Sequence, residues 1–72
     1  MNLIINGELR DVAAETLSGL VQHLAMKPDR VAIELNRQIV PRELWPQTPL
    51  TEGDRLEIVQ FVGGGVARNR AE

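Results

Sequence analysis

The chain of 72 residues has room for one small core and no second domain, since a domain of this size buries only about 60% of the surface its unfolded form exposes. It contains no cysteine, which excludes disulfides and thiolate ligands, leaves apolar packing alone to hold the core and fits a reducing compartment. The net charge is only -2, and arginines such as Arg10, Arg30, Arg37, Arg42 and Arg55 are scattered among acids, so no nucleic-acid partner is expected.

Asn2 to Ile5 is apolar and β-prone, Asn6-Gly7 is a strong hairpin signal, and Glu8 to Val12 is suited to pair back as a second strand. Thr16 stands where an N-cap oxygen accepts backbone N–H groups. Leu17, Leu20, Val21 and Leu24 then follow at i, i+3, i+4 and i+7, which predicts one amphipathic helix. Gly19 weakens that helix by about 1 kcal/mol relative to alanine. Pro28 disfavours helical geometry at the residue before it, so the helix is expected to stop near Met26 or Lys27.

Val31, Ile33 and Leu35 alternate with Ala32 and Glu34, as in a strand with one buried face, and Asn36-Arg37 suits a tight turn into Gln38 to Val40. Between Pro41 and Thr51, three prolines and no sustained period mark an irregular stretch in which Leu44, Trp45 and Leu50 are expected to plug the edge of the core. Gly53-Asp54 turns the chain into its last strand. There Leu56 and Ile58 share one parity and Val59 and Phe61 the other, so the strand is apolar on both faces near its end.

This order, β-β-α-β-β, predicts an α+β fold: a mixed four- to five-stranded sheet with one helix packed across it. A right-handed crossover from the first hairpin brings the first and last strands together in parallel at the centre, which is the β-grasp (ubiquitin-like) arrangement. Residues 1–62 form the domain, 63–65 a glycine tail and 66–72 a flexible C-terminal extension. No apolar run approaches the roughly 20 residues that span a bilayer, and no basic segment precedes the first strand, so a cytoplasmic protein without membrane association is expected.

A catalytic reading lacks its residues. There is one histidine, His23, no cysteine and no tyrosine, and Ser18 lies within the helix with no base beside it. Glu8, Glu15, Glu34, Glu43, Glu52 and Glu57 are dispersed over different elements, without metal-ligand or paired-carboxylate spacing, so no metal site is expected. The exception is Gly63-Gly64-Gly65, directly after an apolar strand. Without Cβ atoms such a segment threads a slot too narrow for side chains. The same run also suits a flexible linker.

Asn6-Gly7-Glu8, Thr16-Leu17, Val31-Ala32-Ile33, Leu35-Asn36, Ile39-Val40-Pro41-Arg42, Trp45, Thr48, Leu50, Gly53-Asp54, Glu57-Ile58-Val59 and Phe61 to Gly65 together resemble the sulfur carriers of thiamine biosynthesis, the ThiS family. That resemblance implies a carrier and not an enzyme. Its terminal glycine carboxylate, here Gly65 with Gly63 and Gly64 threading ahead of it, is adenylated by a ThiF-like adenylyltransferase that uses ATP and a metal ion. The end is then thiocarboxylated from a sulfur donor of cysteine desulfurase or rhodanese type and passes sulfur to a ThiG-like thiazole synthase. No cofactor is implied on the carrier itself. Val59 and Phe61 are ordinary as core filler, and they equally suit a patch that docks the activating enzyme or the synthase.

Family members usually end at the glycines, whereas this sequence continues through Val66 to Glu72. Removal by a trimming protease is the expected remedy. A MoaD-like carrier of molybdopterin synthesis and a ubiquitin-like modifier or interaction module are the alternatives.

Overall fold

The computed structural model describes residues 1–62 and 65–68, the last of these and Val62 through their backbone. Two strands, β1 (Asn2–Ile5) and β2 (Glu8–Asp11), form the opening hairpin, and the helix α1 (Leu17–His23) follows. A second hairpin, β3 (Val31–Leu35) and β4 (Gln38–Ile39), leads through a 3-10 segment at Arg42–Gln47 to β5 (Arg55–Val62) and β6 (Gly65–Arg68). The sheet order is β2-β1-β5-β3-β4, with β6 added beside β5. β1 and β5 run parallel, Ile4 opposite Arg55 and Ile5 opposite Leu56, while every other pairing is antiparallel. The expected four- to five-stranded mixed sheet around one helix is therefore present as β1 to β5, with β1 and β5 adjacent and parallel. β6 is the addition: residues 66–68, read from the sequence as part of a flexible extension, pair with β5. Residues 69–72 lie outside the described residues.

Both hairpins turn through left-handed residues. Asn6 and Gly7 have φ of 52° and 83°, and Asn36 and Arg37 have φ of 51° and 72°. Consecutive positive φ at the two central residues matches the right-handed twist of the flanking strands, and asparagine and glycine tolerate it best. Arg37 takes the second such place without glycine's freedom.

One side of the sheet carries the core. Leu3 and Ile5 from β1, Val31 and Ile33 from β3, and Leu56 and Ile58 from β5 meet Leu17, Leu20 and Val21 of the helix, closed by Val12, Trp45 and Leu50. Trp45 donates its indole N–H to the Val40 carbonyl at 2.9 Å, so the largest ring of the core is buried without an unpaired polar atom. Leu44, expected beside it as a plug, instead points outward at 45% exposure, because the tight 3-10 turn puts consecutive side chains on different sides.

The helix begins as expected. Thr16 is extended (φ -132°, ψ 166°), and its hydroxyl oxygen accepts the Gly19 N–H at 3.1 Å. It ends earlier than Pro28 suggested. Ala25 is left-handed at φ 58°, its N–H reaches the Gln22 carbonyl at 3.0 Å, and the Met26 N–H reaches the Val21 carbonyl at 3.1 Å. That pair of bonds is a Schellman closure, built here on alanine where glycine is usual. Leu24, the cap, is only partly buried against the core, not a full member of it.

Candidate functional site

β5 is the strand that delivers the glycine run, and both of its edges are held by turn asparagines. On the β1 side, the Asn6 N–H donates to the Leu56 carbonyl at 2.8 Å. The Asn6 side chain then continues the ladder: its Oδ1 accepts the Ile58 N–H at 2.7 Å and its Nδ2 donates to the Ile58 carbonyl at 3.3 Å. A side-chain amide carries the same donor and acceptor as a peptide group, so Asn6 extends the parallel pairing by one step after β1 has turned away. On the β3 side, Asn36 repeats the device one turn lower. Its N–H donates to the Arg55 carbonyl at 2.8 Å and its Oδ1 accepts the Arg55 N–H at 3.0 Å, while Nδ2 donates to Asp54 at 3.0 Å. Asp54 in turn accepts the Thr51 N–H at 2.8 Å, which ties down the Gly53 turn. Local sequence pattern marks Asn6 and Asn36 as turn residues alone. Their bonds to a strand some twenty to fifty residues away depend on the sheet order, which local pattern does not reveal.

The two parities of β5 separate as read. Leu56 and Ile58 are buried beneath the helix, while Val59 is half-buried and Phe61 is 38% exposed on the opposite, open face of the sheet. Ala32 lies opposite Val59 on β3, and Ile39, 75% exposed, lies opposite Glu34 on β4. Ala32, Glu34, Ile39, Glu57, Val59 and Phe61 thus line a shallow hollow of about 420 Å³. Glu34 and Glu57 are cross-strand neighbours at its lower end. Ile39 was missed from the sequence because a two-residue strand shows no alternation to assign its face. The hollow is an apolar floor with two acids at one end, at the root of the glycine segment.

Gly63 and Gly64 lie outside the described residues. The backbone of Gly65 opens β6 opposite Val62. His23 is exposed at the end of α1, far in sequence and on another element from the hollow, and Ser18 lies on the same helix. Among the described residues no three histidine, aspartate or glutamate side chains are grouped so as to hold a metal ion, and no helix is long and apolar enough to cross a membrane.

A helix clasped by a mixed sheet, with β1 and β5 parallel at its centre and a glycine run in the sequence directly after β5, defines a β-grasp domain of the ubiquitin-like class. The comparisons narrow this. The model of the ThiS family matches residues 3–65, and the chain belongs to that family. It is 33% identical over 66 residues to the sulfur carrier protein ThiS of Escherichia coli K12, covering 90% of this chain and all of that one. It is 44% identical over 66 residues to a thiazole synthase of Paramagnetospirillum magneticum, covering 90% of this chain but about a fifth (20%) of the relative's length. Among solved structures, the crystal structure of the thiamine biosynthesis protein ThiS from Geobacter metallireducens superposes with a TM-score of 0.75 at 35% identity, covering 90% of this chain and 100% of that one.

Proposed function

We propose that this chain is a sulfur carrier for thiazole formation in thiamine biosynthesis, and that Gly65 bears the reactive carbonyl. The observation that carries this is the match to the ThiS family over residues 3–65: it ends on the third glycine of a run that follows directly from β5. A carboxylate is a poor electrophile until one oxygen becomes part of a leaving group. Attack of the Gly65 carboxylate on the α-phosphorus of ATP, with loss of pyrophosphate, supplies one as AMP; the outer sulfur of a donor persulfide then displaces AMP at the acyl carbon, and a partner thiol cleaves the resulting acyl disulfide, leaving the thiocarboxylate on the carrier and a disulfide on the partners. These steps belong to the partners, a ThiF-like adenylyltransferase with its metal ion and a sulfur donor of cysteine desulfurase or rhodanese type. The carrier contributes an end without Cβ atoms and a face to hold it by.

That face is the hollow floored by Val59 and Phe61. A ThiG-like thiazole synthase is favoured as one of its partners because polypeptides named thiazole synthase contain a stretch similar to this chain, at 44% and 39% identity. Residues 66–72 stand in the way as encoded: seven extended residues reach about 24 Å, far past a site shaped for a glycine end. Trimming after Gly65 resolves this.

The test is adenylation of two forms by ATP and the activating enzyme. The chain ending at Gly65 should form the acyl-adenylate and, once the sulfur donor and a thiol are added, gain about 16 Da as sulfur replaces oxygen, while the full chain, with an internal amide at Gly65, should not. Gly64→Ala and Gly65→Val in the trimmed chain should block the step without unfolding the domain. Equal adenylation of both forms sinks the trimming idea, and failure of both removes the carrier reading.

A further inference from the structure

On the β1 side of β5 the backbone is engaged in three successive stages. The carbonyl of Asp54 accepts from Ile4 at 2.9 Å and that of Leu56 accepts from Asn6 at 2.8 Å; Ile58 is met by the Asn6 amide. Because alternate residues of a strand present their N–H and C=O to the same edge, Gln60 and Val62 complete this series. The Arg55 backbone, of the other parity, faces Asn36 on the β3 side. The bonds named above from β1 and its turn reach as far as Ile58, and the last stage of the edge lies beyond them. It is filled by β6, with Gln60 opposite Ala67 and Val62 opposite Gly65.

We propose that Gly65–Arg68 is an autoinhibitory latch: by pairing with the Gln60–Val62 edge of β5 it folds the residue-65 end back on the domain and blocks its extension into a partner. The occupant is intramolecular and joined to β5 within a few residues, so it enjoys a high effective concentration over any strand that arrives in trans. An exposed sheet edge of this kind takes an extended peptide by main-chain bonds, with little demand on sequence. Loss of residues 66–72 leaves both the edge and the glycine end open. The latch itself is a property of β5 and β6, while its inhibitory meaning rests on the carrier function proposed above.

Three forms test it: the full chain, the full chain with Ala67→Pro, and the chain ending at Gly65. Among the residues whose side chains are described, the core runs from Leu3 to Ile58, and all three forms keep it whole. Ala67 lies opposite Gln60 on the edge that Asp54, Leu56 and Ile58 share, so a proline there removes the N–H it has for that edge. Amide exchange at Gln60 and Val62 is expected to be slow in the full chain and at least about tenfold faster in the other two, with Leu56 and Ile58 unchanged. The Ala67→Pro chain is also expected to bind the activating enzyme several-fold more tightly than the full chain, although neither has a free Gly65 carboxylate. Equal exchange in all three forms overturns the latch. Different exchange with equal affinity of the two full-length forms overturns its inhibitory role. If even the form ending at Gly65 is never adenylated while the exchange difference holds, the carrier function fails and the β6 closure stands.

Discussion

Asn6 is the residue on which the central parallel pairing depends most visibly. Asn6→Gly removes the side-chain amide and keeps a backbone at ease at φ 52°. The Ile58 N–H, on a residue only 1% exposed, then loses its partner at 2.7 Å, and the Ile58 carbonyl loses a weaker one at 3.3 Å. An unsatisfied buried N–H costs about 1–3 kcal/mol. Asn6→Ala loses the same bonds and adds roughly 1–2 kcal/mol for holding a Cβ in the left-handed region. Asn36→Gly is the control: it deletes an equivalent pair of bonds to Arg55 and Asp54, but at exposed positions where water replaces them, so its cost should stay below about 1 kcal/mol. The assay is urea denaturation followed by the fluorescence of Trp45, the only tryptophan and 3% exposed in the folded state. With a slope of about 1 kcal/mol/M for so small a domain, the midpoint of Asn6→Gly should fall by about 1–3 M. A shift under about 0.5 M, or one equal to that of Asn36→Gly, would show that the Asn6 amide is not part of the β1/β5 ladder.

Gly19→Ala should stabilise by about 0.5–1 kcal/mol: its Cβ would meet Thr16 Oγ1 at 3.5 Å and Ala14 Cβ at 3.8 Å, ordinary contacts, and a loss of stability in the same urea titration would contradict this. Ile33→Ala should cost about 2–5 kcal/mol, since Ile33 is 1% exposed, whereas Leu24→Ala should cost clearly less because Leu24 packs only in part. Equal losses at the two positions would put Leu24 back in the core. Phe61→Ser should leave stability within about 0.5 kcal/mol while weakening binding to the activating enzyme or the synthase, measured by calorimetry. A melting temperature lowered by more than a few degrees would assign Phe61 to folding instead of docking.

Elements whose evidence is local were legible before any coordinates. Asn6-Gly7 marked its hairpin because only a few residue types accept consecutive positive φ, and the 3.6-residue spacing of Leu17, Leu20 and Val21 marked the helix that buries them. The opposite parities of Leu56/Ile58 and Val59/Phe61 separated the core face of β5 from its open face, since side chains alternate along any strand. The glycine run announced itself by composition. Other features were settled by tertiary contact. The helix end moved to His23 through the left-handed Ala25, whose strain is accepted because it returns the chain to the sheet with Met26 against the core. Leu44 and Ile39 face outward for reasons set by a 3-10 turn and a two-residue strand, too short for a period to appear. Above all, the bonds from Asn6 to Ile58 and from Asn36 to Arg55 join residues distant along the chain, and β6 takes an edge of β5 whose other occupant, β1, comes from the far end of the chain. Periodicity assigns a residue to a face, but edge partners are set by strand order, and strand order is decided only when the whole core packs.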